Sequence, residues 1–175
     1  MSLSANHFEL FNLPVTFELD NALLAARYRD LQRSAHPDNY ANASEREQRL
    51  ALQAAAQINE AFQTLKDPML RARYLLELQG INPSDEKHTL KDVHFLMDQM
   101  ELRENLAEIM KQAQPFNALN HFIDRLEKNT AAQVQQLAKA CEQNQWDAVA
   151  QWVQKLQFFK RLREEALDLE ETLNV

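Results

Sequence analysis

Prolines and a single glycine divide this sequence into long segments with helical periodicity. A proline interrupts a helix because it lacks an amide hydrogen and clashes with the preceding turn. Long alternations of apolar and polar residues, which predict strands, are absent from the sequence. Hydrophobic residues make up 45% of the 175 residues, which is enough for a packed core. We therefore expect an all-α protein. The interrupting residues are Pro14, Pro37, Pro68, Gly80, Pro83 and Pro115.

The clearest element is a pair of helices on either side of a polar loop. Each helix carries a stripe of apolar residues at helical spacing, and the alanines of the second stripe allow two helices to approach closely. Pro37 requires the first helix to end near Ala35. Ser44 and Glu47 form a capping box that starts the second helix. The stripes are Leu24, Tyr28, Leu31 and Ala35, and Ala51, Ala54, Ala55, Ile58, Ala61, Phe62 and Leu65.

The loop at residues 36–43, HPDNYANA, is expected at the exposed tip of this antiparallel hairpin. A loop held by two rigid helices is a common place for functional residues. The tripeptide His36-Pro37-Asp38 between two helices, with INEAFQTLKDPMLRARYL closing the second, resembles a J domain. The chain as a whole resembles the HscB family, the J-type co-chaperones of iron–sulfur cluster assembly.

The resemblance implies a chaperone-binding site on the first helix and the loop. J domains use these elements to contact a DnaK-type chaperone and to trigger its ATP hydrolysis. Asn39 departs from the family, which often has lysine after the tripeptide, so one positive docking charge is missing. Taken without the resemblance, the arginines form an ordinary solvated helix face and the tripeptide forms a capping turn. The residues at the matching positions are Arg27, Arg29, Arg33, His36, Pro37 and Asp38.

His36 and Asp38 do not form a convincing acid–base pair. The sequence offers no nucleophile, metal ligand or third orienting group beside them. A phosphate-binding loop needs several glycines, and the chain has one. We therefore expect a protein that is not an enzyme and has no cofactor.

The segment from Leu90 to Lys111 predicts a helix with two apolar faces. One face suits the core of a small bundle. The other is half apolar and half acidic, and such a surface with flexible methionines is typical of protein binding. The alternative is that this second face packs against the first domain or the linker helix. The core face is Phe95, Leu102, Leu106 and Ile109, and the second face is Leu90, Val93, Leu96, Met97 and Met100, continued by Glu101, Glu104 and Glu108.

The resemblance implies that the second face binds the iron–sulfur scaffold protein. Apolar residues would supply the buried area, and acidic neighbours would select a basic partner. Phe158 of the last helix lies off its apolar stripe, so we expect it to be an exposed anchor for the same partner. The residues at the family's contact positions are Leu96, Met97, Met100, Glu101, Glu104, Glu108 and Phe158.

Two further helical patterns, over residues 113–144 and 146–173, complete an antiparallel three-helix bundle. Tyr74, Leu75 and Leu76 are expected to connect the preceding helix to this half. The predicted organisation is a J domain over residues 1–76, a linker over 77–89 and a client-binding domain over 90–175. The predicted buried residues of the first pattern are Phe116, Leu119, Phe122, Ile123, Leu126, Val134, Leu137, Ala138 and Cys141.

Charge and cysteine usage exclude several classes of function. The net charge is −7, and residues 77–175 hold 11 basic and 17 acidic side chains, which argues against nucleic acids and anionic membranes as partners. Cys141 is the only cysteine, so an internal disulfide is excluded. His7, His88, His94 and His121 show no metal-ligand spacing. With no signal peptide or membrane-spanning pattern, we expect a cytoplasmic protein. We also expect a monomer, because a single chain would suffice for the mechanism that the resemblance implies.

The resemblance implies a co-chaperone that brings the scaffold protein to a dedicated HscA-like chaperone of the DnaK type and stimulates its ATP hydrolysis. Two alternatives remain from the residues. One is a J protein that serves a different client, and the other is an inert helical adaptor whose tripeptide is coincidental.

Overall fold

The computed structural model describes residues 6–83 and 92–173, apart from the side chain of Pro37. The chain divides into two compact units, Met1–Gln79 and Gly80–Val175. Their described residues form helices and no β-strand, which confirms the all-α prediction. The helices are α1 (His7–Leu10), α2 (Asn21–Ala35), α3 (Glu45–Lys66), α4 (Pro68–Leu78), α5 (Val93–Met110), α6 (Phe116–Glu142) and α7 (Trp146–Leu173), with a 3₁₀ turn (Pro37–Tyr40) between α2 and α3.

The pair α2 and α3 forms the body of the N-terminal unit. Leu24 of α2 and Ile58 and Leu65 of α3 are buried. The rings of Tyr28 and Phe62 stack with their centroids 4.0 Å apart. The two predicted stripes therefore form the core of the hairpin.

Side-chain caps fix where these helices begin. Asp20 accepts the first free amide hydrogens of α2, and Asp67 does the same for α4. Ser44 and Glu47 form the predicted capping box of α3, and hydrogen bonds from Ser44 lower the pKa of the Glu47 carboxyl. Each cap satisfies amides that have no partner inside the helix and so fixes where its helix begins. The box at Ser44 therefore also fixes where the loop before α3 ends.

The segment NHFELFNL at residues 6–13 predicts a short helix whose Phe8 and Phe11, three residues apart, pack in the core, and α1 is shorter than this segment. Asn6 is its N-cap rather than a helical residue. Asn12 ends it in the left-handed region, with φ 51°. Phe8 and Phe11 are buried, as their spacing predicts.

Tyr74 and Arg71 connect α4 to the start of the chain. The sequence predicted another partner for Tyr74 and none for Arg71. The expectation that Tyr74 connects α4 to the second half is wrong: its ring stacks on His7 at 4.2 Å, and its hydroxyl accepts the amide hydrogen of His7 at 3.0 Å. Arg71 is buried, and its guanidinium lies 4.9 Å from the ring centroid of Phe17. Both side chains therefore bind α4 to the segments on either side of Pro14.

α5, α6 and α7 form the predicted three-helix bundle of the C-terminal unit. The connection between α6 and α7 spans residues 143–145, where Asn144 has φ 53°. Cys141 is buried near the end of α6. The core cluster consists of Phe95, Leu106, Leu119, Phe122, Ile123, Leu126, Phe159, Leu162 and Ala166.

Some predicted boundaries differ from the structure. α4 ends at Leu78, two residues inside the predicted linker, and Gly80 follows with φ 71°. Residues 84–89 of that linker, including His88, and the predicted helix start at Leu90 lie outside the described residues. Phe116 is 40% exposed, so its predicted burial is wrong. It is the first residue of α6 and lies at the end of the bundle.

Candidate partner-binding surfaces

The His36-Pro37-Asp38 loop lies at the tip of the α2–α3 hairpin. Pro37 cannot continue α2 because it has no amide hydrogen, and it opens the 3₁₀ turn instead. The side chains of His36 and Asp38 are 57% and 88% exposed. The loop is therefore open to a partner.

The imidazole of His36 organises the turn that follows it. Its Nδ1 accepts the amide hydrogen of Asp38 at 3.3 Å. The Asp38 carboxylate lies 3.5 Å from the same nitrogen. Among the described residues, no third side chain completes a catalytic constellation with these two.

Asn39 closes the C-terminus of α2. Its side-chain Nδ2 donates to the carbonyl of Arg33 at 2.8 Å and lies 3.5 Å from that of Ser34. Its own amide donates to the carbonyl of His36 at 3.0 Å. Asn39, which stands where the family often has lysine, therefore has a structural role in the loop.

The three arginines of α2 do not share one face. Arg29 and Arg33 are exposed one helical turn apart, whereas Arg27 is partly buried and lies about 160° from Arg29 and about 120° from Arg33 around the helix. Arg33 also contacts the Asp30 carboxylate at 3.4 Å, a pair exposed enough to contribute little to stability. The basic surface beside the loop thus consists of Arg29 and Arg33.

A cavity beside the loop includes residues that the sequence analysis missed. It has a volume of about 350 Å³ and lies between the end of α2 and the start of α3. Ala35, Tyr40, Leu50 and Ala51 are among its lining residues. Leu50 is exposed although it lies one turn before Ala54, at the edge of the apolar stripe of α3, and this additional apolar residue was the available signal.

The start of α5 is fixed to α7 by one ion pair. Asp92 caps α5 by accepting the amide hydrogen of Phe95 at 3.1 Å, and its carboxylate lies 2.9 Å from Lys155 Nζ. Hydrogen bonds from Lys155 and from the Phe95 amide lower the pKa of Asp92. Lys155 also lies 5.0 Å from the Trp152 ring and 5.1 Å from the Phe95 ring. These contacts fix how α5 is rotated in the bundle.

The rotation of α5 leaves its second face uncovered within the C-terminal unit. Leu96 is 46% exposed, Met97 63% and Met100 64%. The neighbouring carboxylates are also exposed, and Val93 extends the apolar part. The structure thus brings the six predicted residues of α5 together on one surface, called the α5 face below: Leu96, Met97, Met100, Glu101, Glu104 and Glu108.

Phe158 is not the exposed anchor that its off-stripe position predicts. It is partly buried and packs against the core cluster. Its ring contacts Phe95 and Phe159 edge to face, at 5.7 and 5.5 Å, and the guanidinium of Arg103 lies 5.8 Å from its centroid. Helical spacing gives the direction of a side chain but does not show which neighbouring helix covers it.

Two features are absent from the part of the chain that the structure describes. No group of three His, Cys, Asp or Glu residues there could hold a metal ion. None of the described helices is both long and apolar enough to cross a membrane.

Comparison with known proteins shows similarity over both units. A family model described as the HSCB C-terminal oligomerisation domain matches residues 91–167. The co-chaperone protein HscB homolog of Photobacterium profundum is 48% identical, covering 95% of this chain and 98% of its own length. The homolog of Aliivibrio salmonicida is 45% identical, covering 96% and 98%.

Solved structures of co-chaperones are also similar to this chain over nearly its whole length. Chaperone HscB from Vibrio cholerae is 46% identical and superimposes with a TM-score of 0.85, covering 97% of this chain and 99% of its own. Human co-chaperone protein HscB is 26% identical with a TM-score of 0.85, covering 98% and 84%. The Jac1 co-chaperone from Saccharomyces cerevisiae, at 21% identity, 96% and 95% coverage and a TM-score of 0.75, shows the shared fold.

Proposed function

Because the chain belongs to the HscB family of co-chaperones, we propose that it delivers an iron–sulfur scaffold protein to a dedicated HscA-like chaperone of the DnaK type. It stimulates ATP hydrolysis by that chaperone and so aids cluster transfer and protein maturation. The observation that carries the proposal is the similarity of both units to HscB co-chaperones. Each unit also has an exposed surface: the loop with its basic neighbours in the first, and the apolar and acidic α5 face in the second.

The N-terminal unit binds the chaperone through the hairpin tip. His36 and Asp38 are exposed between two rigid helices, and Arg29 and Arg33 add positive charge beside them. This charge favours an acidic docking site and speeds encounter. Pro37 and the partly buried Arg27 complete the proposed contact. Hydrolysis itself takes place on the chaperone.

The C-terminal unit binds the scaffold protein through the α5 face. Leu96, Met97 and Met100 supply apolar area that the unit's own core does not use. The exposed carboxylates beside them select a basic partner and repel an acidic one. Phe158 contributes from α7 with only part of its side chain, because it is partly buried against the core cluster.

Joining the two surfaces in one chain explains how client and chaperone meet. Once the scaffold protein is bound, the linked loop raises its effective concentration at the chaperone without any new contact. One chain carries both surfaces, so the proposed species is a cytoplasmic monomer. Sedimentation equilibrium at assay concentrations tests this, because the family description names oligomerisation.

The decisive experiment is the steady-state ATP turnover of an HscA-type chaperone alone, with this protein, with scaffold protein, and with both. We expect synergy when both are present and its loss in His36→Gln. His121→Gln changes an exposed histidine of α6 and is the matched control. Stimulation without any scaffold effect would contradict the proposed client. No stimulation by the unaltered chain would contradict the co-chaperone function.

A further inference from the structure

The loop that follows α2 has few backbone donors for the end of that helix. The last four carbonyls of a helix lack intrahelical partners. Pro37 has no amide hydrogen, and the amide of Asp38 is used by His36 Nδ1 at 3.3 Å. Residues 37 and 38 therefore offer no free amide hydrogen to these carbonyls, and a side-chain donor can take that place.

Asn39 is that side chain. Its Nδ2 bonds the Arg33 carbonyl at 2.8 Å and approaches the Ser34 carbonyl at 3.5 Å. Its backbone amide bonds the His36 carbonyl at 3.0 Å. Asn39, which directly follows the tripeptide, is thus hydrogen-bonded back to the last turn of α2. His36, Pro37 and Asp38 lie in the stretch of chain between the two bonded residues.

We propose that Asn39 is a positioning residue for chaperone docking. It carries no charge to attract the partner. Its side chain instead holds the tripeptide in one conformation before the partner arrives. The inference rests on the proposed function, since the docking in question is that of the co-chaperone loop.

A positioning role predicts a weaker apparent affinity for the chaperone, without a change in maximal stimulation, when the Asn39 side chain is removed. A loop that samples other conformations binds with an apparent affinity reduced by the fraction in the competent one. Losing an exposed hydrogen bond of ordinary strength corresponds to about a two- to tenfold change. The docked loop is unchanged once bound, so maximal stimulation stays the same. Only the concentration that gives half-maximal stimulation rises.

The experiment titrates full-length variants against an HscA-type chaperone and measures ATP turnover. Asn39→Ala removes the donor, and Asn39→Asp keeps the shape while presenting an acceptor to the carbonyls. Asn42→Ala is the matched control, because Asn42 is an exposed asparagine of the same loop whose side chain forms no hydrogen bond within the described residues. We expect the half-maximal concentration to rise by about two- to tenfold for Asn39→Ala, by at least as much for Asn39→Asp, and not for Asn42→Ala.

Two results would overturn the inference while the unaltered chain still stimulates. One is an Asn39→Ala curve that coincides with that of Asn42→Ala. The other is a lower maximum at an unchanged half-maximal concentration, which would assign Asn39 a direct role on the chaperone. Absent stimulation by the unaltered chain would overturn the proposed function itself.

Hydrogen exchange on the unbound protein tests the positioning without the chaperone. The Asp38 and Asn39 amides should exchange faster in Asn39→Ala than in the unaltered chain, because the bonds that enclose them are released. Unchanged exchange would overturn the inference even if docking weakens.

Discussion

His7 shows how one side chain can join segments that are distant in sequence. Its ring stacks on Tyr74 at 4.2 Å, and its backbone amide donates to the Tyr74 hydroxyl. Burial lowers the pKa of His7, although the carboxylates of Glu60 and Glu77 act in the opposite direction. The folded state therefore favours the neutral imidazole.

The lowered pKa predicts that the N-terminal unit loses stability in mild acid. The unfolded chain, with an ordinary histidine pKa of about 6.5, binds a proton more readily than the folded chain. The stabilisation is thus complete above about pH 6.5 and is lost as the pH falls through that value toward the lower folded pKa. Urea unfolding at about pH 7.5 and about pH 5.5 measures the difference.

His7→Phe keeps an aromatic ring against Tyr74 and cannot titrate, so it should reduce the pH dependence. His121→Gln, a change at an exposed site in α6, should leave the dependence as it is. Equal pH dependence in the unaltered chain and in His7→Phe would assign the effect to other groups.

At the scale of the element, α5 has two apolar faces, and its own bundle covers one of them. Phe95 and Leu106 are buried, whereas Met97 and Met100 are exposed. The Asp92–Lys155 pair fixes which face is turned outward. A helix with a surplus apolar face is informative because burial alone does not account for it.

The α5 face predicts a clean separation between binding and folding. The triple variant Leu96→Ala, Met97→Ala, Met100→Ala should keep its helicity and thermal midpoint, because these side chains are at least 46% exposed. Calorimetry should show that it no longer binds the scaffold protein. Leu52→Ala, at an exposed leucine of α3, is the control and should bind normally. An unfolded triple variant would mean that the face is core.

Local patterns in the sequence predicted the elements better than the contacts between them. The capping box at Ser44 follows from local chemistry, and the structure confirms it. Phe158, Phe116 and Tyr74 were assigned wrongly, because the exposure or partner of each depends on segments distant in sequence. Asn39 was correctly noticed as unusual, but its hydrogen bonds depend on the conformation of the loop.

At the scale of the whole molecule, the chain consists of two units with separate cores. Each core draws on helices that are close in sequence, so each unit should fold without the other. The placement of Gly80, where a helix ends and the predicted linker continues, indicated this division. The boundaries 1–76, 77–89 and 90–175 remain a prediction.

The division can be tested by expressing residues 1–79 and 80–175 separately. Each fragment should give the helical circular dichroism expected from its own helices. Fragment 1–79 should stimulate the chaperone without binding scaffold protein, and fragment 80–175 should bind scaffold protein without stimulating. A mixture of the two should lack the synergy of the intact chain, because the covalent link sets the effective concentration.

An unfolded fragment would show that the compact units are not autonomous domains. Synergy in the mixture would contradict the linkage mechanism. It would point to direct contact between scaffold protein and chaperone.

The exposure of Met97 and Met100 has a further consequence, for redox chemistry. A thioether in contact with solvent is open to oxidation, and methionine sulfoxide is polar where methionine is apolar. Oxidation would thus make the apolar part of the α5 face polar and hydrated, while the buried core stays intact. Peroxide would be expected to release the client before it unfolds the protein, and methionine sulfoxide reductases would reverse the change.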